Sequence, residues 1–235
     1  GPHKNAKVLL PIPEKESHGK NVASVHADTT FRVLYAGNLR EYGPMLMEAL
    51  KILRGHPNIC LELRGNSASW PQSIRQEMSE RGVLLPFAPI SELQDWIETA
   101  DAFLITQSFE DKDRRLMETN FPSKLTECAK FEKPLILWGP EYASGPKWGR
   151  ETGLGLVVDG KDPQYLKQAL EQLFGNKEQL ERFSHAAREA ATSCFSPKLI
   201  QAEFMGYLHD LVDVEEEVDA SLADNVERTT QGISS

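Results

Sequence analysis

Two runs, DAFLITQ (101–107) and PLILWGP (134–140), constrain the fold more than anything else in the chain. Neither alternates apolar with polar residues, so neither suits a sheet with one face in water; both need cover on two sides. The segments FRVLYAG (31–37), CLELRG (60–65), VLLPF (83–87) and LGLVVDG (154–160) are also short and strand-like. Between them lie stretches with helical spacing at 44–55, 73–82 and 90–100, the last with Ser91 as its expected N-cap. Strands buried on both faces and alternating with helices predict an α/β fold: a doubly wound parallel sheet of about six strands, with a helical C-terminal part running to about residue 213.

The two ends read differently from this body. Residues 1–30 open with GPH, which reads as a cloning remnant, and continue with Pro11, Pro13, Ser17 and Gly19 among many charges, the composition of a linker. From Asp213 onward seven acidic residues face Arg228 alone, so residues 214–235 are expected to form an acidic, flexible tail. Of the net charge of −9, −6 sits from Asp213 onward, and the rest of the chain, at −3, is close to neutral. Without a basic stripe, no nucleic acid is expected as a partner, and an anionic ligand needs a local site. No apolar run reaches the ~18 residues that would span a bilayer, which excludes a transmembrane segment and leaves peripheral membrane contact open. Cys60, Cys128 and Cys194 are odd in number and widely spaced, fitting neither a disulfide framework nor a zinc motif; a cytoplasmic location is expected. The histidines show no metal spacing, and no metal is expected.

Ligands of open parallel sheets bind beyond the carboxyl ends of the strands. That rule selects GNLREYG after the first strand, RGNS after the second, FAP after the third, QSFEDKDRRLMETN after the fourth and GPEYASGPKWG after the fifth. DKDRR (111–115) within that rim reads as a solvated loop tip. The segment FPSKLTECAKFEKPLILWGP (121–140) opens a helix with Pro122 at its first position, where a missing N–H is harmless. The amino end of such a helix attracts phosphate, and Lys124 adds a mobile cation to it. Glu127 lies three residues on, hence on the same face. A cation for phosphate beside a carboxylate for ribose hydroxyls makes a nucleotide-diphosphate site; on spacing alone, a surface ion pair between the two is the simpler reading. Gly37 would let backbone approach a phosphate closely, with Asn38 as a donor and Arg40 as a cation, although a tight strand–helix turn needs no ligand. Arg64 at the end of the second strand could flank a base. The chain has neither a dinucleotide-binding G-x-G-x-x-G after its first strand nor a Walker sequence, which disfavours a dehydrogenase.

Residues 121–139 resemble the donor-binding segment of GT-B-fold glycosyltransferases, in the large retaining family of group-1, glycogen-synthase-like sugar transferases. The likeness runs through RVLYAGNL, ISELQDWIETADAFLI and ETGLGLVVDGKDPQYLKQAL to SPKLIQAEFMGYL, about residues 31–212 in order. It implies a Rossmann-like domain, the C-terminal one of two, holding a nucleotide-diphosphate sugar (UDP-linked) for transfer to a hydroxyl acceptor on an N-terminal domain absent from this chain. The nucleotide sugar is then the substrate and no separate cofactor is implied. Roles follow from the resemblance: Glu127 for the ribose hydroxyls, Lys124 and the N–H groups near Leu125 for the diphosphate, the Gly37–Asn38 turn closing on the phosphates, and Arg64 with the Phe87–Ala88 backbone near the base; Lys124 and Glu127 are the expected catalytic pair.

The chain also departs from that family. Thr119 stands where its first glutamate is usual, with Glu118 and Asn120 beside it, and Asn38 and Tyr42 stand where an arginine and a lysine follow the first strand, with Arg40 nearby. These departures keep two alternatives open: a non-catalytic nucleotide-sugar-binding or scaffolding module, and a GT-B-fold nucleotide-sugar epimerase. The isolated domain is expected to be inactive in transfer.

Overall fold

A computed structural model describes residues 10–11, 30–66 and 70–209. Apart from Leu10, Pro11 and Thr30, the expected linker and acidic tail lie outside the described residues. In chain order the elements are β1 (Phe31–Gly37), α1 (Gly43–Ile52), β2 (Ile59–Gly65), α2 (Gln72–Glu80), β3 (Leu84–Leu85), α3 (Ile90–Glu98), β4 (Ala102–Thr106), a 3-10 turn (Asp111–Asp113), α4 (Arg114–Thr119), α5 (Ser123–Ala129), β5 (Leu135–Trp138), α6 (Ser144–Thr152), β6 (Leu156–Val158), α7 (Pro163–Phe174) and α8 (Lys177–Thr192). A last helix, α9, covers 197–209.

The strands form one six-stranded sheet in the order β3-β2-β1-β4-β5-β6. Every pairing is parallel. The fold is therefore the doubly wound, Rossmann-like α/β architecture that the apolar runs predict. Strand parity explains why those runs do not alternate. Val33, Tyr35, Leu104, Ile136 and Trp138 face a core closed by α1 and α7, while Leu34, Phe103, Ile105, Leu135 and Leu137 face a second core closed by α3 and α5. α8 belongs to both: Leu180 and Phe183 complete the first core, Ala187, Ala190 and Ala191 the second. Leu10, within the expected linker, also packs against the second core.

Local departures from the sequence reading have physical causes. β3 is only two residues long, because Pro86 has no N–H to continue a ladder. Pro89 occupies the cap position of α3, so Ser91 falls inside the first turn. Pro122 takes the cap position of α5 instead of its first helical residue, and Ser123 opens the helix.

A buried carboxylate ties β1, β2 and α3 together. Glu62, 8 % exposed, accepts from Arg32 Nε and Nη2 at 2.9 Å each and from Trp96 Nε1 at 2.8 Å. The backbone N–H of Arg32 donates in turn to Asp101 just ahead of β4, at 2.8 Å. Glu62→Ala strands both donors, so it should lower stability by about 3 kcal/mol. Urea unfolding followed by circular dichroism measures the loss, and an unchanged midpoint would show that the triad is dispensable.

Candidate functional site

The strand order reverses between β1 and β4, so the connections leaving their carboxyl ends run to opposite faces of the sheet and leave a crevice between them. A cleft of about 260 Å³ occupies that place. Its floor is Tyr35, residues 104–106 of β4 and Gln107 just after that strand; one wall is the Gly37–Asn38 turn with Glu41 and Tyr42, the other Asn120, Pro122, Ser123 and Lys124 at the start of α5. Among these lining residues only Lys124 and Glu41 are charged.

The first wall is held by its own side chains. Asn38 Oδ1 accepts from the N–H groups of Arg40 (3.0 Å) and Glu41 (3.1 Å) and from Asn66 Nδ2 (3.1 Å), while Asn38 Nδ2 donates to Glu41 at 3.0 Å. The asparagine is thus engaged in shaping the turn, as Asx side chains commonly are. Asn66 closes the structure from β2 by accepting from Leu39 N–H at 2.7 Å. The strands meet so closely here that a Cβ on Gly65 would stand 1.9 Å from the Gly37 carbonyl oxygen. Glycine at 65 is a requirement of strand packing, and at 37 a Cβ would press on the Tyr35 hydroxyl at 3.0 Å. That hydroxyl donates to Asn38 O at 3.2 Å. Burial pushes the Tyr35 hydroxyl pKa upward. Burial, then the Glu41 and Asp113 carboxylates, push Tyr42 up to about 12.

In the opposite wall, Lys124 Nζ lies 2.5 Å from Glu127 Oε2, both side chains part-exposed. The surface pair that spacing favours is what the structure contains, with the lysine on the cleft side. The Leu125 N–H donates to Pro122 O at 3.0 Å, and its side chain is fully buried. α5 has seven residues, so its amino end offers few amides.

The other expected residues are dispersed. Gly37, Asn38 and Lys124 line the cleft; Arg40, Arg64, Ala88, Leu125 and Glu127 are outside its lining. Arg40 is exposed on the turn. Arg64 stacks over Trp96 at 5.0 Å, with Nε and Nη1 buried and without a hydrogen-bond partner. Ala88 is buried beyond β3. DKDRR is solvated as expected, all but Asp113 being exposed, but it is not a loop: it forms the 3-10 turn and the start of α4, fixed by Ser108 Oγ donating to Asp113 Oδ2 at 2.7 Å and by the fully buried Met117. Glu118 pairs with Arg114, and the Thr119 hydroxyl donates to Arg115 O at 2.9 Å.

Tyr35 and Thr106 also line the cleft without any signal in the sequence; Gln107 and Asn120 line it too and bound the rim segment 107–120, but have no role assigned from sequence. Gln107 had the clearest signal: an amide closing an otherwise apolar strand run. Its side chain is buried and reaches three neighbouring segments. Thr106 is buried, with its hydroxyl beside that of Tyr35. Among the described residues no group of three or more His, Cys, Asp or Glu side chains could hold a metal. His56 accepts from the N–H groups of Asn58 and Ile59 through Nδ1 and meets Glu171 at 3.2 Å. No described helix is long and apolar enough to cross a membrane.

No family model matches the chain, and no curated protein matches it. Solved structures do. HepE from Anabaena, crystallised in complex with UDP, matches with a TM-score of 0.59 at 15% identity, covering 77% of this chain and 49% of its own. A glycosyltransferase from Rickettsia africae ESF-5 matches with a TM-score of 0.59 at 16% identity, covering 80% of this chain and 49% of its own. Sucrose-phosphate synthase from Thermosynechococcus elongatus gives 0.52 at 19% identity, with 81% and 47% covered. The chain spans about half the length of each. The shared property is the fold, that of one Rossmann-like half of a GT-B structure.

The unfolded chain releases the Tyr42 proton near its ordinary pKa of 10.0, whereas the folded chain holds it to about 12. The folded state therefore binds more protons in that interval, and stability must fall as pH rises through it. Tyr42→Phe should flatten the fall; urea midpoints at about pH 8.5 and about pH 11 measure it, and parallel losses in both proteins would refute the assignment.

Proposed function

We propose that this chain is the donor-binding half of a glycosyltransferase, holding a nucleotide-diphosphate sugar, UDP-linked, for transfer to a hydroxyl acceptor carried by an N-terminal domain. The observation that carries the reading is the position of the cleft: it lies at the β1/β4 reversal, where doubly wound sheets bind nucleotides, and has Lys124 at its mouth. The fold shared with HepE, crystallised with UDP, supports the same ligand class.

In this reading Lys124 exchanges its present partner, Glu127, for the diphosphate. Glu127, released, accepts from the ribose hydroxyls. The Ser123 and Lys124 amides face the phosphates, ahead of the Leu125 N–H that Pro122 already engages. Arg40 has the reach and exposure to fold over the same anion, while Arg64 and the Ala88 backbone serve the base. Cleaving the sugar–phosphate bond builds charge on the departing diphosphate, and Lys124 stabilises it there. Transfer with retention requires groups from the acceptor domain, so the isolated half binds without efficient transfer, in a cytoplasmic setting.

A second reading, a nucleotide-sugar-binding module without catalysis, draws on specific features. Lys124 is already neutralised by Glu127, Glu41 places a negative charge in the cleft, and the Thr119 hydroxyl is turned back onto its own helix.

Calorimetry with UDP and UDP-sugars tests the binding reading. The wild-type domain should bind UDP, and Lys124→Ala should weaken it about tenfold, equivalent to ~1.4 kcal/mol. Glu127→Ala should weaken UDP as well, since the ribose contact is lost. A wild-type domain that binds neither ligand sinks the proposal. Binding without sugar transfer by the two-domain protein would favour the module.

A further inference from the structure

Gln107 follows β4 at the floor of the cleft and is 3 % exposed. The Gly145 N–H donates to its Oε1 at 2.8 Å, which fixes the orientation of the amide, since that N–H can only donate. Nε2 must then face the other way, toward Met117 O (3.3 Å), Asn120 O (3.4 Å) and Ser144 Oγ (3.3 Å). The Asn120 carbonyl also receives the Ser144 hydroxyl at 2.6 Å. One buried amide thus joins the end of α4, the corner before α5 and the start of α6. There is no slack on the α6 side: a Cβ on Gly145 would lie 2.6 Å from Oε1 and 3.1 Å from Pro122 Cγ. Nε2 has two hydrogens for three oxygen acceptors and the Met117 sulfur at 4.0 Å, all at the long end of the hydrogen-bonding range, so these bonds require both flanking segments to stay in place together.

Asn120 leads directly into Pro122, Ser123 and Lys124, which form the α5 wall of the cleft. We infer that Gln107 is a positioning residue for the diphosphate end of the cleft: it holds the Asn120 carbonyl and thereby sets where the amino end of α5 and Lys124 meet the ligand. This rests on the donor-site reading. Gln107 takes no part in bond making; it acts through the corner it anchors.

Three variants test the inference by UDP calorimetry, with thermal melts run in parallel. Gln107→Met keeps the side-chain length and removes both polar atoms; UDP affinity should fall about tenfold. Gln107→Glu keeps the shape but, ionised, turns an acceptor toward three acceptors. Protonated, its carboxyl group can again donate to Asn120 O while accepting from Gly145 N–H. Its affinity relative to wild type at the same pH should therefore recover as the pH is lowered from about 8 to about 5.5, a signature that loosened packing alone would not produce. If Gln107→Met does not fold, Ser144→Ala carries the test, because it removes the 2.6 Å bond to the same carbonyl; a loss of about threefold supports the inference. Affinities within twofold of wild type in the folded variants, or a Gln107→Glu ratio that does not change with pH, overturn the inference alone. Failure of the wild-type domain to bind UDP overturns the donor-site reading and this inference with it.

Discussion

Everything at the functional end of this molecule depends on β1 having parallel partners on both sides. With β2 and β4 paired to it, β1 has no free edge, and the chain can leave its carboxyl end only by turning over one face of the sheet. β4 leaves toward the other face. The crevice between those departures is a consequence of connectivity, present before any side chain is chosen. What the sequence adds is its lining, and it adds little charge: one lysine and one glutamate at the rim, hydroxyls and amides below. Under the proposed function, such a site would recognise its ligand through shape and hydrogen bonds, assisted by one lysine.

Much of the fold was legible because burial on two faces leaves a plain mark. FRVLYAG became β1 to the residue, and the continuous runs at 101–107 and 134–140 became central strands with slightly frayed ends. Legibility failed where tertiary contacts overrule local composition. DKDRR is densely charged and gives no periodic signal, yet it folds as a 3-10 turn and helix because Asp113 meets Ser108 and Met117 is drawn into the interior. Ser91 looked like a cap, but the chain enters α3 two residues earlier, at Pro89.

The site was legible in outline and not in its wiring. Lys124 and Glu127 share a helix face by arithmetic, and they are found joined there. Asn38 lines the cleft, yet its amide also braces the turn it belongs to. A single side chain can satisfy its own backbone or a visitor, and spacing does not say which. Gln107 illustrates the opposite difficulty. One polar residue at the end of an apolar strand has no pattern around it, and its partners come from segments 10, 13 and 37 residues away.

The arrangement of α8 bears on how the chain reaches this state. Its first turns present leucine and phenylalanine to one side of the sheet and its last turns present alanines to the other. Neither layer is sealed until that segment wraps into place, so a nascent chain emerging from the ribosome would hold two half-open hydrophobic surfaces until α8 is made. The same wrapping couples the layers in the finished protein: peeling α8 away uncovers both together, which makes the domain a single cooperative unit in place of two stacked halves.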